Sequence, residues 1–122
     1  MPSLKQAIND LFDPQMSAEE ALDRHFAPSF RQRINGQWID RAAFLAGIVQ
    51  SRAVVEHATV TVLEEFEDGA RYAERHAIQL VKHDGERIVQ EVSVFAQRAP
   101  DGRFTRIEET TLMLATQPQP LS

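Results

Sequence analysis

Asp-Gly occurs three times in the second half of the chain, at Asp68-Gly69, Asp84-Gly85 and Asp101-Gly102, and the glycines stand sixteen and seventeen residues apart. Asp-Gly between strand-like runs is a strong hairpin signal. The two-residue turn that matches strand twist needs positive φ at both positions, which these residues tolerate. The spacing therefore predicts an antiparallel meander of four long strands, over 54–67, 70–83, 86–99 and 103–115. Strands of that length reach about 40 Å at 3.3 Å per residue, so they must twist and bulge.

The first half has a different period. Leu4, Ala7, Ile8, Leu11 and Phe12 form a helical stripe, opened by the Ser3/Gln6 capping-box spacing and closed by Asp13-Pro14. Ala18, Ala21, Leu22, His25 and Phe26 repeat it, with Ser17 and Glu20 at the start and Ala27-Pro28 at the end. Ser29 to Ile34 reads as a short extended piece and Asn35-Gly36 as a turn. Asp40 caps a third helix that buries Phe44, Leu45, Ile48 and Val49 and ends near Arg52. Helices first and a meander after give one α+β domain over 1–115, with N-terminal helices on a curved antiparallel sheet of four to six strands. Such a cystatin-like cone has an open mouth suited to a pocket. Residues 116–122, with two Gln-Pro pairs, read as a flexible tail.

Composition removes several functions. The chain has no cysteine, which excludes disulfides, thiol catalysis and thiolate metal sites and suits a cytoplasmic, reducing setting. A net charge of -5 argues against nucleic acid as a partner. No apolar run approaches a membrane span or a signal-peptide core. The four histidines lack metal-ligand spacing and there is no glycine-rich phosphate loop, so neither a metal nor a cofactor is expected.

Two stretches carry a resemblance. Residues 21–49, ALDRHFAPSFRQRINGQWIDRAAFLAGIV, are similar to the opening of nuclear transport factor 2-like proteins. Residues 94–114, VFAQRAPDGRFTRIEETTLML, resemble their last hairpin. The flavour is closest to the SnoaL-like, polyketide-cyclase-like branch, and the likeness extends over residues 3–115. It implies the fold directly. For function it implies a hydrophobic pocket for a small molecule, and a homodimer, in a superfamily that holds cyclases, an isomerase, dehydratases, epoxide hydrolases and non-catalytic dimers. Its isomerase and cyclases use a pocket aspartate. Here all seven aspartates (10, 13, 23, 40, 68, 84 and 101) read as helix, cap or turn residues, so that strand aspartate is missing and Ser93 or a neighbour takes its place.

Two-residue turns at Asp68-Gly69 and Asp84-Gly85 would set His76 opposite Thr61 and Ser93, and a type I turn with a glycine bulge at Pro100-Asp101-Gly102 would set Ser93 opposite Glu109. The opposite sheet face is the more apolar. The His76 face is nonetheless expected to line the pocket, because a ligand site needs polar groups. Two functions follow. One is a binding module, a dimer with an apolar cleft. The other is a cofactor-free isomerase, cyclase or dehydratase acting on a small hydrophobic carbonyl compound. In the second, His76 is the proton shuttle, Glu109 its orienter and Tyr72 an oxygen stabiliser. Ligand contacts are expected from Arg33, Trp38, Glu91, Ser93, Phe95 and Phe26. The bland alternatives are a solvent- or dimer-facing polar row, a strand tyrosine, a solvated arginine, and Trp38 and Phe26 packed in the core.

Overall fold

The computed structural model describes residues 3–117. Helix α1 (Leu4–Leu11) starts at Ser3, whose hydroxyl accepts from the Gln6 amide while the Gln6 side chain returns to the Ser3 amide. Helix α2 (Ala18–His25) is capped by Ser17 and packs on α1. The chain then goes straight into β1 (Phe26–Ile34), so Ala27 and Pro28 open a strand instead of ending a helix. Asn35 (φ 48) and Gly36 (φ 88) make the tight turn into β2 (Gln37–Asp40), a strand the sequence reading lacked. Asp40 caps α3 (Arg41–Val54).

The meander follows as β3 (Val55–Asp68), β4 (Arg71–Lys82), β5 (Arg87–Arg98) and β6 (Phe104–Gln117). The six strands lie in the order β2-β1-β6-β5-β4-β3. The meander is antiparallel throughout, and β1 joins the free edge of β6 in parallel, so the sheet is mixed. Strand β6 runs two residues past the expected end at 115, and 118–122 of the expected tail lie outside the described residues. No described helix is long and apolar enough to cross a membrane.

Turn length and bulges set which residues face the helices. The β4–β5 loop is three residues, His83-Asp84-Gly85, closed by Lys82 and Glu86, and not the two-residue turn expected. The β3–β4 loop is Gly69-Ala70 between Asp68 and Arg71, and a bulge at Leu63 shifts the register again. His76 therefore pairs with Val62 and Val92, not with Thr61 and Ser93. A further bulge at Thr105 sets Glu109 opposite Val94. These extra residues tighten the local twist and help curl the sheet over its helices.

The core fills the concave side. Phe26, Phe30, Phe44 and Phe104 form an aromatic cluster with centroids 4.7 to 6.0 Å apart, and Tyr72 meets Phe104 edge-on at 5.7 Å. Val60, Ile78, Val92, Val94 and Ile107 complete the sheet side; Leu4, Ala7, Leu11, Ala21 and Leu22 complete the helical side.

Candidate functional site

Between α1, α3 and the concave sheet lies a cavity of about 160 Å³. Its wall is mostly apolar, with Leu4, Ile8, Leu11, Phe26, Phe44 and Ile107 among its residues. The polar groups on it are His76, Glu109, Gln32, Gln90 and Thr111. Each arrives by strand alternation. On β4 the inward residues are Tyr72, Glu74, His76 and Ile78, and on β1 they are Phe30 and Gln32.

Glu109 is held from two directions. The Gln32 amide donates to its Oε1 at 3.0 Å, and its backbone oxygen accepts from the Asn35 amide at 3.0 Å. The Asn35 side chain in turn accepts from the Thr111 amide at 2.9 Å, which staples the β1–β2 turn to β6. Burial pushes the Glu109 carboxyl up to about 7; His76 opposes the rise and the nearby Glu74 adds to it. A carboxyl in that range can both take and give a proton near neutrality. The Gln32 Oε1 atom is buried with no donor among the described residues. Turning this amide end for end exchanges donor for acceptor, so Gln32 can follow Glu109 between its two protonation states.

His76 is 2% exposed, and its Nδ1 lies 2.5 Å from Glu74 Oε1. Glu74 thus fixes the ring and leaves Nε2 for the cavity. The orienting carboxylate is therefore Glu74, two residues along the same strand, whereas Glu109 is bonded to Gln32. Tyr72 is buried but does not line the cavity. Its hydroxyl lies 3.1 Å from Glu65 and 3.2 Å from Glu74. Burial, then the Glu74 charge, pushes the phenol well above its usual range, so it stays protonated. The Arg98 guanidinium stacks 4.6 Å from the Tyr72 ring and pairs with Glu67.

The other expected ligand residues divide sharply. Phe26 is 1% exposed and is both core and cavity wall. Ser93, Phe95 and Glu91 lie on the convex face, turned there by the longer β4–β5 loop; Phe95 is 71% exposed, and Glu91 pairs with Arg75 at 2.7 Å. Arg33 and Trp38 pair across the β1–β2 hairpin on its outer side, because the inward positions of β1 belong to Phe30 and Gln32. Trp38 sits under Arg31 at 4.5 Å, and Arg33 reaches Glu108 at 4.0 Å. Neither touches the cavity. The sequence reading missed Gln32 as a cavity residue, and Glu74 as the orienter of His76. The signal for Gln32 was its place between two arginines on an alternating strand. Among the described residues no group of three or more His, Asp or Glu is arranged to hold a metal ion.

Solved structures share this architecture. An NTF2-like protein of unknown function from Exiguobacterium sp. 255-15 superposes with a TM-score of 0.68 at 19% identity, over 90% of this chain and 98% of that one. A proposed SnoaL-like polyketide cyclase from Jannaschia sp. CCS1 gives 0.65 at 13% identity, over 85% and 79% of the two chains. An LEH-like epoxide hydrolase of M. tuberculosis gives 0.66 at 14% identity, over 88% and 81%. The chain has the nuclear transport factor 2-like fold. No protein-family model and no curated protein matches the sequence.

Proposed function

We propose that the cone binds a small, mostly apolar molecule, and that Glu109 and His76 move protons on it without a cofactor. The observation that carries this reading is a titratable pair set in a mostly apolar wall. A cavity of about 160 Å³ takes a molecule near the size of one six-membered ring, since apolar cavities of about 150 Å³ take up benzene. Glu109, raised to about 7 by burial, is suited to removing a proton next to a carbonyl and returning it elsewhere. Isomerisation, dehydration and cyclisation all use that step. The fold neighbours, which include a proposed cyclase and an epoxide hydrolase, support a pocket at the level of fold.

Cyclohexanone in heavy water tests both parts. The expected result is a shift of the His76 and Ile107 signals on binding, and deuterium entering the ketone α-carbon about 100-fold faster than with Glu109→Gln. No shift at saturating ketone removes the pocket. A shift with exchange at the buffer rate leaves a binding protein without turnover.

The convex face suits a second copy of this chain. Phe66 and Phe95 stand in one row across β3 and β5, 67% and 71% exposed, and the exposed Leu112 lies on the same face four residues further along, opposite Glu91. Apolar side chains gathered in this way favour burial against a like surface. A cytoplasmic location fits the cysteine-free chain.

A further inference from the structure

Four polar side chains form an unbroken line from the cavity to the edge of the sheet. His76 Nδ1 is 2.5 Å from Glu74 Oε1, and the Tyr72 hydroxyl is 3.2 Å from Glu74 Oε2 and 3.1 Å from Glu65 Oε2. Tyr72, Glu74 and His76 are 2%, 5% and 2% exposed, while Glu65 is exposed on β3, the outermost strand on that side. Glu65 lies directly across from Glu74. Only one end of the line meets the cavity: His76 is on its wall, and Glu74, Tyr72 and Glu65 are not.

Counting hydrogens says what such a line can do. Three links join the four groups. Nδ1 supplies one hydrogen and the phenol another, so with both carboxyls ionised one link has none. A phenol with a purely structural role needs one acceptor, and Glu74 alone provides it. The second carboxyl, Glu65, is superfluous to that role. One added proton fills all three links, and three filled links can shift together.

The geometry points to a proton relay, His76–Glu74–Tyr72–Glu65, that carries protons between the cavity and solvent. It rests on the reading that His76 acts on a molecule held in the cavity. A proton leaving that molecule bonds to His76 Nε2. With the line already filled by its one added proton, held on Glu74 Oε2, the Nδ1 hydrogen then passes to Glu74 Oε1, the hydrogen on Glu74 Oε2 passes to the Tyr72 oxygen, and the phenol hydrogen passes to Glu65. His76 ends neutral, Glu74 still carries one hydrogen, no tyrosinate forms, and Glu65 gives its proton to water. Other groups face the line: Glu109 from β6, Glu67 and Arg98 beside Tyr72 from β3 and β5, and the Leu4 amide of α1 at the phenol oxygen. A bound apolar molecule displaces water from the cavity, so a proton released there needs a route through the protein.

The test follows the His76 Nδ1 hydrogen by NMR in the full chain labelled with ¹⁵N-histidine and saturated with cyclohexanone. Tyr72→Phe and Glu65→Gln are each expected to slow its exchange with solvent by roughly tenfold. Exchange at the wild-type rate in either variant overturns the relay. Glu65 is exposed, so its substitution keeps the test valid even if Tyr72→Phe disturbs the fold. Cyclohexanone binding is read separately from the Ile107 methyl signals. Failure to bind sinks the pocket reading alone, and the same rates in the unfilled protein then decide the relay.

Discussion

Strand β4 carries two charged clusters on its two faces, and they obey different physics. On the concave side, Glu74 holds His76 with both side chains almost wholly buried. On the convex side, Arg75 lies between Glu64 at 3.7 Å and Glu91 at 2.7 Å, with the arginine side chain 45% exposed. Water and salt screen the outer pairs, so each contributes little. The inner pair has no water to fall back on. Removing one member strands the other and uncovers the full cost of its burial. Neighbouring residues of one strand can therefore differ several-fold in what their loss costs.

The largest effect is expected from Glu74→Ala. It leaves the buried His76 Nδ1 without its partner and should cost roughly 3–5 kcal/mol in urea unfolding. A loss under about 1 kcal/mol would mean that the inner pair is as dispensable as the outer one.

Glu109 comes next, through pH. Below its ordinary value of 4.5 the carboxyl is protonated in both folded and unfolded chains, and above about 7 it is ionised in both. In between, the folded chain holds a proton that the unfolded chain has released, so stability falls as pH rises through this window. The fall should total about 2–3 kcal/mol, and Glu109→Gln should flatten it. A wild-type profile that already runs level from pH 4.5 to about 7 would contradict the raised carboxyl.

Arg75→Ala should cost below about 1 kcal/mol, less as salt is added. Phe95→Asp should move the stability of the single chain by only about 0.5 kcal/mol, since the ring is mostly exposed. Its effect should appear in sedimentation, where the wild type runs as a dimer at micromolar concentration and the variant as a monomer. A wild type that is already monomeric ends the dimer reading.

The elements themselves were legible. The Ser3, Ser17 and Asp40 caps open the three helices, and the Asp-Gly pairs separate the four long strands. The parallel union of β1 with β6 was not, because no local pattern records which distant strand an edge will meet. The site was half legible for a related reason. Strand faces repeat every second residue, so one extra residue in a loop turns the next strand over. The three-residue β4–β5 loop did that to Glu91, Ser93 and Phe95, and the bulge at Thr105 turned β6 back. Two reversals cancel, which is why Glu109 shares a cavity with His76 although the strand between them was read inside out.

The bulge at Thr105 has an evolutionary consequence. A single inserted or deleted codon near it would swap the side chains that a stretch of β6 shows to the cavity for those it shows to the outside. On β6, Ile107 and Glu109 would give way to Glu108 and Thr110 with no side chain replaced. Descendants of this chain can thus redecorate the chamber by changes in length alone, a route to new ligands that comparisons of aligned residue types would overlook.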